Sequence, residues 1–371
     1  MKVLHLTSGN LYGGIETYLL TLARFRHLCP TMEPHFGLCF PGRIRDELTA
    51  TGVGVHDLGP VRVSRPWTVL RARMRLRRLL REVAFDAVVT HGTWVHAVFG
   101  PVVKRSAARF VHAVHGDMTG RNWLDRWAAR TSPDAVIANS RFTARTAERA
   151  FPGRPTSVVH PPIPEPADFD RAAARREIRE ECRTPDDATV ILMVSRIEEL
   201  KGHAVLLRAL GDLQEVSGWV GWIVGGAQRP HEIELLAHLR VSAQRLGISD
   251  RVRFLGQRAD MPRVMAAADI YCQPNTGPEG FGITFIEALA ARLPVVSSDF
   301  GGAAEIVTEQ CGVLSSPGDS DAVAAALHGL IADPVRRRAL GEAGAARADE
   351  LCNLSRQISV LAQNTFPRVT P

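Results

Sequence analysis

The sequence lacks any long apolar run. No uncharged apolar stretch reaches the roughly 18 residues that a membrane-spanning helix needs. The first residues, Met1 to Leu6, form a strand-like pattern, whereas a secretory signal peptide begins with a charged segment followed by a longer apolar one. From these two absences we expect a protein without a transmembrane helix and with a cytoplasmic location.

Cysteine is scarce and scattered. The chain has six cysteines, and no two of them form a C-x-x-C pair. This spacing argues against a zinc site and against a disulfide framework. We interpret all six as reduced thiols in the core. They are Cys29, Cys39, Cys182, Cys272, Cys311 and Cys352.

The short motifs of several enzyme classes are also missing. There is no G-x-S-x-G elbow, no G-x-x-x-x-G-K-[ST] loop and no H-E-x-x-H helix. One D-x-D string, Asp168 to Asp170, has a spacing that can hold a metal on a nucleotide. Because it immediately precedes a predicted helix at residues 171–181, we interpret it as acidic residues that suit a helix N-terminus. We therefore predict no metal site.

The charge is unevenly distributed. Residues 1–165 carry 23 Lys and Arg against 12 Asp and Glu, a net charge of +11, and the remaining residues have a net charge of −5. Only three of the basic residues in the whole chain are lysines. The basic half is predicted to face something anionic.

Much of this basic excess lies between Arg62 and Arg81, where eight arginines alternate with apolar residues at helical spacing. One interpretation is a helix that packs on a sheet and has a solvated arginine face. The other is contact with anionic lipid headgroups or a phosphorylated acceptor, which Leu70 and Met74 among the arginines favour. Nucleic acid is not predicted as a partner, because no aromatic platform accompanies the arginines.

Strand and helix patterns alternate in both halves of the chain. In the first half, strands are predicted at residues 3–7, 87–90, 109–114 and 135–139, and helices at 16–26 and 141–150. In the second half, strands are predicted at residues 189–194, 219–224, 252–255, 270–273 and 295–297, and helices at 203–213 and 233–246. Residues 322–361 are predicted to be helical, with Pro334 as the main interruption.

A proline-rich stretch at residues 160–166 separates the two halves. The alternation is typical of parallel sheets, so we predict an α/β protein of two Rossmann-like domains. The first covers residues 1–163 and the second residues 164–371, with a final helix that is allowed to cross back to the first domain. A cleft between the carboxyl ends of the two sheets is the expected site.

The most informative segment has two glutamates, Glu279 and Glu287, with seven residues between them. Glycines between them open a helix predicted to begin at Ile283, so Gly282 lies at a helix N-terminus, where amide groups and the helix dipole favour a phosphate. Glu287 could accept hydrogen bonds from a ribose diol and Glu279 from sugar hydroxyls. The alternative is two solvated glutamates flanking an ordinary glycine turn.

Other candidates follow predicted strands, as expected for residues that line such a cleft. These are the pair Gly13 and Gly14, the pair Arg196 and Lys201, and the histidines His91 and His115. The glycines could admit a phosphate, the two cations could neutralise a diphosphate without a metal, and a histidine could bond a sugar hydroxyl or shuttle a proton. Ordinary turns, surface charges and structural histidines are the alternatives.

Together these segments resemble retaining glycosyltransferases of family 4, which have the GT-B fold, along nearly the whole chain. The matching segments are Gly13-Gly14-Ile15-Glu16, His115-Gly116, Arg196 with Lys201-Gly202, Gly225-Gly226, Phe254-Leu255-Gly256-Gln257, Glu279 to Glu287, and Pro294-Val295-Val296 with Gly301-Gly302 and Glu305. Two segments depart from the family pattern, residues 274–278 and the linker at 160–163.

The resemblance implies transfer of a sugar from a nucleotide diphosphate donor, most often UDP-linked, with retention and without a metal or other cofactor. It implies catalytic roles for His115, Arg196, Lys201 and Glu279. It implies nucleotide-sugar binding by Gly13, Gly14, Gly226, Gln257, Phe281, Gly282, Ile283 and Glu287. The expected product belongs to polysaccharide, glycolipid or glycoconjugate biosynthesis.

The acceptor is expected to be lipid-linked or phosphorylated, which would bring the segment from Arg62 to Arg81 to the inner face of the membrane. Three alternatives stay open. An epimerase on the same fold would turn over a nucleotide sugar with no acceptor, and a pyridoxal-phosphate phosphorylase would need Lys201 as its Schiff-base lysine. A non-catalytic partner subunit would bind the donor without cleaving it.

Overall fold

The computed structural model describes residues 1–10, 13–165 and 168–366. The chain divides into two compact units. Unit 1 comprises Met1–Pro164 and Cys352–Pro371, and unit 2 comprises Glu165–Leu351. The first change of unit falls one residue after the predicted boundary at residue 163, and residues 352–371 belong to unit 1.

Unit 1 is built on a seven-stranded sheet in the order β3-β2-β1-β4-β5-β6-β7, and every neighbouring pair is parallel. The strands are β1 (Lys2–Thr7), β2 (Glu33–Leu38), β3 (Gly54–Asp57), β4 (Ala87–His91), β5 (Arg109–Val114), β6 (Ala135–Ala138) and β7 (Thr156–Val158). The helices along this part of the chain are α1 (Gly14–Arg24), α2 (Arg43–Ala50), α3 (Pro66–Glu82), α4 (Thr93–Val103), α5 (Trp123–Ala128) and α6 (Arg141–Ala150), with a 3₁₀ turn at Arg26–Leu28.

Unit 2 has a six-stranded sheet in the order β10-β9-β8-β11-β12-β13, again with parallel neighbours. Its strands are β8 (Thr189–Val194), β9 (Trp219–Val224), β10 (Val252–Gly256), β11 (Ile270–Gln273), β12 (Val295–Ser298) and β13 (Gly312–Ser315). Its helices are α7 (Arg171–Glu181), α8 (His203–Asp212), α9 (Pro230–Arg245), α10 (Met261–Ala267), α11 (Ile283–Ala290), α12 (Ala303–Ile306), α13 (Ser320–Ala332) and α14 (Pro334–Cys352), with a 3₁₀ turn at Glu199–Lys201. A last helix, α15 (Leu354–Thr365), lies in unit 1.

Buried apolar runs form the central strands because a parallel sheet covered by helices hides both faces from water. Strands β4, β8 and β9 illustrate this, since almost every side chain in them is buried. The predicted pair of Rossmann-like parallel-sheet domains is confirmed. The prediction missed β2, β3, β7 and β13, which are short or carry polar residues, proline or glycine.

The C-terminal stretch has one more interruption than predicted. Besides the break before Pro334, the helix ends at Cys352, and Asn353 begins a new one. The side-chain oxygen of Asn353 accepts a hydrogen bond from the amide of Arg356, which is the usual way in which asparagine caps a helix. A backbone hydrogen bond of 3.0 Å from Ile163 to Cys352 joins the two chain segments of unit 1 beside this cap.

A buried arginine fixes helix α7 to the rest of unit 2. The guanidinium of Arg179 donates to Asp269 at 2.6 Å and to the carbonyl of Ala267 at 3.1 Å. It also donates to the backbone carbonyls of Pro185, Asp186 and Ala188. The desolvation free energy of this buried charge is offset by its many acceptors. Removing one partner of such a buried group destabilises the fold, because the groups left behind stay buried without a hydrogen bond.

We expect the substitution Arg179→Met to lower the free energy of unfolding by about 3 kcal/mol, because it removes one donor from the Asp269 carboxylate and the guanidinium donors from several carbonyls. Asp269 keeps the hydrogen bonds from Arg175 and from the amide of Val190. Urea unfolding followed through the buried Trp219 and Trp222 of unit 2 measures this. The control Arg176→Met, on an exposed position of the same helix, is expected to change stability by less than about 0.5 kcal/mol. Equal effects of the two substitutions would contradict the assignment.

Candidate functional site

The loops at the carboxyl ends of the unit 2 strands touch backbone to backbone. A Cβ added to Gly202 would lie 1.8 Å from the carbonyl oxygen of Pro274, and Gly202 has a left-handed φ of 79°. A Cβ added to Gly302 would lie 2.3 Å from the carbonyl oxygen of Phe281. The amide of Gly302 donates to the carbonyl of Glu279 at 2.9 Å. The loops after β8, β11 and β12 are therefore held in one arrangement at this edge of the sheet.

Glu279 is the best-supported side chain at this edge. Its Oε2 accepts a hydrogen bond from Lys201 Nζ at 2.6 Å, from Gln273 Nε2 at 3.2 Å and from Asn275 Nδ2 at 3.4 Å. Gln273 is in turn held by the hydroxyl of Tyr271, which donates to its Oε1 at 2.8 Å. Among the described residues no donor bonds to Oε1 of Glu279, so this oxygen can accept from a ligand.

The two predicted cations both have carboxylate partners within unit 2. Lys201 pairs with Glu279, and Arg196 Nη1 lies 2.7 Å from Glu198 Oε1. Both side chains remain partly exposed. A diphosphate at this site would share these cations with the carboxylates or replace the carboxylates as their partners.

Helix α11 begins where the sequence predicts. Gly282 is its N-terminal cap with a left-handed φ of 98°, and Ile283 is its first residue. Amide groups in the first turn of a helix have no acceptor within the helix, so this end favours an anion. Phe281 as a whole is only 2% exposed. Its ring is therefore packed in the core and does not face a ligand at this site.

Glu287 lies one turn further along α11 and differs sharply from Glu279. No hydrogen bond or ion pair to its carboxyl is found within the described part of the chain. Glu287 is half-buried. This burial raises the pKa of Glu287 to about 7, because the charged form loses part of its solvation and no donor among the described residues replaces the lost water. A diol that donates two hydrogen bonds would supply the donors that the described residues do not provide to this carboxyl.

Two further predicted residues are neighbours. The position that a Cβ on Gly226 would occupy lies 3.4 Å from Cβ of Gln257. Gly226 follows strand β9 and Gln257 follows the adjacent strand β10. The structure thus brings these residues together at the same edge of the sheet, in loops that are further joined by a backbone hydrogen bond of 2.8 Å from Gly225 to Gly256.

The remaining candidates lie in unit 1. Gly13 caps helix α1, which begins at Gly14, and the amide of Gly13 donates to Oε2 of Glu16 at 3.0 Å. His115 directly follows strand β5, and its Nε2 lies 2.9 Å from Nδ1 of His91. Burial lowers the pKa of His115 to about 4, so the imidazole is neutral at pH 7.

The acidic string before α7 is a helix cap. Oδ1 of Asp170 accepts from the amides of Ala172 and Ala173, each at 2.9 Å. The predicted helix at residues 171–181 is confirmed. Among the described residues no group of three or more His, Cys, Asp and Glu side chains is arranged to hold a metal ion.

Sequence reasoning missed the residues that support the predicted ones. Gln273 and Asn275 donate hydrogen bonds to Glu279. Glu16 was named only as part of a motif, and its role as acceptor from the amide of Gly13 was not predicted. A signal for Gln273 was available, since a glutamine that ends a buried strand needs a polar partner. Asn275 lies in the segment that departs from the family pattern, where the path of the loop could not be predicted.

Family models match both halves of the chain. The model described as "Glycosyltransferase Family 4" matches residues 12–165, and the model described as "Glycosyl transferases group 1" matches residues 174–347. Among the described residues, no helix is both long enough and apolar enough to cross a lipid bilayer.

Relatives with named activities are similar over much of their length. A GDP-mannose-dependent alpha-(1-6)-phosphatidylinositol monomannoside mannosyltransferase from Mycolicibacterium smegmatis is 32% identical over 292 residues, which cover 73% of each chain. D-inositol 3-phosphate glycosyltransferase 2 from Catenulispora acidiphila is 37% identical over 223 residues, which cover 56% of this chain and 50% of the relative.

Solved structures with a similar fold cover almost the whole chain. Anabaena Alr3699/HepE in complex with UDP and glucose aligns with a TM-score of 0.84 and 24% identity over 98% of each chain. Sucrose-phosphate synthase from Thermosynechococcus elongatus aligns with a TM-score of 0.83 and 19% identity over 98% of this chain and 97% of that one. At these identities the likeness concerns the fold, which is of the GT-B type.

The raised pKa of Glu287 makes stability depend on pH. A glutamate titrates near 4.5 when unperturbed and Glu287 near 7 in the folded protein, so the folded state binds more protons between these values and loses stability as pH rises through them. We expect Glu287→Gln to be more stable than the wild type at pH 8 and no more stable at pH 4.5. Urea unfolding at both pH values measures this, with the exposed Glu309→Gln as control. An equal difference at both pH values would contradict the prediction.

Proposed function

The chain belongs to glycosyltransferase family 4, and from that premise we propose that it transfers mannose from GDP-mannose to a phosphatidylinositol-type glycolipid with retention at the anomeric carbon. The observation that carries the proposal is the 32% identity to a GDP-mannose-dependent mannosyltransferase over 73% of both chains. This donor replaces the expected UDP sugar, which no sequence relative described above supports. Both donors, GDP-mannose and a UDP sugar, are nucleotide sugars, so the choice between them does not affect the assignment as a glycosyltransferase.

The diphosphate has a matching set of positive groups at the carboxyl edge of unit 2. When the bond between the sugar and the diphosphate breaks, negative charge develops on the leaving phosphate. Lys201, Arg196 and the first amides of α11 stabilise that charge, and oriented donors of this kind act best where water is partly excluded. These groups take the place of a metal ion, so we propose a metal-independent reaction.

Glu279 orients the sugar and does not attack it. Its Oε2 is held by three donors, Lys201, Gln273 and Asn275. A carboxylate fixed in this way is a poor nucleophile, because its charge is already neutralised and its position is constrained. Its Oε1 accepts a hydrogen bond from a sugar hydroxyl. The acceptor hydroxyl attacks the anomeric carbon from the face on which the diphosphate departs and gives its proton to the departing phosphate, which retains the anomeric configuration.

The ribose and the sugar have separate partners. Glu287 accepts hydrogen bonds from both hydroxyls of the ribose, which supplies the donors that its half-buried carboxyl lacks among the described residues. Gly226 and Gln257 contact the nucleotide, and Gly13 and Gly14 leave room for a phosphate beside α1. His115 contacts the transferred sugar.

Transfer should depend on Lys201 and not on the other lysines. We expect mannose transfer from GDP-mannose to phosphatidylinositol mannoside in excess EDTA, and a loss of kcat/KM of about a hundredfold or more in Lys201→Gln, as for removal of one charge-stabilising donor. The control is Lys104→Gln, whose lysine pairs with Asp134 at 2.5 Å in unit 1. NMR of the product checks for the α anomer.

Each failure of this assay has its own meaning. Transfer from a UDP sugar alone would overturn the donor, and a strict need for a divalent metal would overturn the role given to Lys201 and Arg196. Turnover of the donor without an acceptor would indicate an epimerase. Binding without turnover would indicate a non-catalytic subunit.

Helix α3 is the part of unit 1 best suited to a membrane surface. Its inner side chains Val69, Ala72 and Leu76 are buried, whereas Trp67, Leu70 and Met74 are 60%, 60% and 52% exposed. The spacing of these three places them on one face, and the exposed arginines Arg71, Arg77, Arg78 and Arg81 lie on the same face. Apolar side chains bordered by arginine suit an anionic bilayer surface, so we propose peripheral contact at the inner face of the membrane.

One arginine of the predicted basic face has a different role. Arg73 donates through Nε to the carbonyl of Val98 at 2.7 Å and fixes α3 to α4. It is therefore excluded from the test of the membrane surface, because its loss would disturb folding.

Sedimentation with vesicles tests this surface. With vesicles that contain anionic phospholipid, we expect the double variant Arg77→Glu/Arg81→Glu to bind at least about tenfold more weakly than the wild type, since each basic residue contributes roughly 1 kcal/mol. The control Arg336→Glu/Arg338→Glu makes the same charge change at exposed positions of α14 and should bind like the wild type. Wild-type protein that does not sediment with anionic vesicles would overturn the membrane contact.

A further inference from the structure

Three histidines of unit 1 form a continuous chain of imidazole rings. His5 Nδ1 lies 2.9 Å from His91 Nε2, and His91 Nδ1 lies 2.9 Å from His115 Nε2. The rings come from β1, from the end of β4 and from the residue after β5. His5 and His91 are buried, and the edge of the Tyr18 ring packs against His115. The chain thus leads from the core of the sheet to the candidate sugar-binding histidine.

A chain of neutral imidazoles has only two arrangements of its protons. Each neutral ring carries one N–H and one bare nitrogen, and each contact needs one donor and one acceptor. If His91 donates from Nδ1 to His115, its Nε2 must accept from His5. If His91 donates from Nε2 to His5, its Nδ1 must accept from His115. The proton on one ring therefore fixes the protons on the other two.

All three rings are neutral near pH 7, so this rule applies. Burial lowers the pKa of His5 to about 3 and that of His115 to about 4, and it lowers the pKa of His91 well below 6.5. The neighbouring rings lower the pKa of His91 further, because a second positive charge in the chain would be repelled.

The surroundings of His5, at the buried end of the row of histidines, determine which of the two proton arrangements is present. His5 is fully buried, and its Nε2 has no hydrogen-bond partner among the described residues. A buried N–H without an acceptor is rarer and more costly than an acceptor without a donor. Nε2 of His5 is therefore the bare nitrogen, and its proton lies on Nδ1. The protons of His91 and His115 then also lie on Nδ1.

We infer that His5 and His91 are positioning residues that hold His115 as the Nδ1–H tautomer, so that His115 offers the sugar a hydrogen-bond donor. The inference rests on the proposed function, in which His115 contacts the transferred sugar. It also limits what His115 does. Its only bare nitrogen, Nε2, is occupied by the N–H of His91, so His115 has no lone pair with which to take a proton from the acceptor hydroxyl. If the inference holds, His115 is not the proton shuttle that was considered from the sequence.

The direct test is the proton position itself, measured without any substrate. In protein labelled with ¹⁵N-histidine, two-bond nitrogen–proton correlations at pH 7 distinguish the two tautomers, and the His115→Phe variant assigns the signals. We expect His115 to carry its proton on Nδ1. A proton on Nε2 of His115 would overturn the inference, even if the protein is an active glycosyltransferase.

Two substitutions of His91 test whether the chain sets that tautomer. His91→Phe removes both contacts, and we expect mixed tautomers of His115 and a loss of kcat/KM of about tenfold, as for one lost hydrogen bond. His91→Gln keeps one donor and one acceptor, so it should restore the single tautomer and bring kcat/KM within about threefold of the wild type.

The outcomes separate the inference from the proposed function. An unchanged single tautomer in a folded His91→Phe variant would show that the chain does not set it. A failure of His91→Gln to restore the tautomer would have the same meaning. If His91→Phe does not fold, the wild-type spectrum still decides the tautomer. Absence of glycosyl transfer with the expected tautomer pattern would overturn the proposed function alone.

Discussion

Backbone contact between loops is the constraint on which the unit 2 site depends. Gly202 and Gly302 approach the carbonyls of Pro274 and Phe281 so closely that no side chain fits between them. These contacts set the distance between Lys201 on one loop and Glu279 on another. A 2.6 Å ion pair between partly exposed side chains contributes little to stability by itself. The geometry of the pair is therefore set by the packing of the two loops and not by the ion pair.

The two glutamates of the E-x7-E segment show how the same residue type is given different properties. Glu279 is surrounded by donors, and all of those found bond to a single oxygen. Glu287 is half-buried and has no donor among the described residues, and burial raises its pKa to about 7. One carboxylate is therefore already stabilised before a ligand arrives, whereas the other gains its hydrogen bonds only from the ligand. The carboxyl of Glu287 without a hydrogen-bond donor lowers the stability of the ligand-free protein, and the same carboxyl gains hydrogen bonds when the donor substrate binds.

The sequence was sufficient for the order of strands and helices near the site, because the central strands are continuous apolar runs and the loops after them contain glycine. The start of α11 at Ile283 and the helix after Asp170 were both predicted. What could not be predicted depends on contacts between distant segments. The bond from Asn275 to Glu279, the partner of Arg196 and the link between His5, His91 and His115 all require knowledge of which loops and strands are neighbours. The same holds for Arg73, one of the arginines between Arg62 and Arg81, since helical spacing does not tell which arginine reaches a carbonyl of the next helix.

The path of the chain has a consequence for synthesis on the ribosome. Unit 1 is made of two chain segments, and the hydrogen bond from Ile163 to Cys352 joins them only after all of unit 2 has been made. Unit 2 is one continuous segment and can complete its fold as soon as its last helix emerges. The nascent seven-stranded sheet must therefore wait without α15, whose side chains Ile358 and Leu361 are buried in the finished protein. An apolar surface on unit 1 therefore stays exposed while residues 165–351 are made, and exposed apolar surface of this kind favours aggregation.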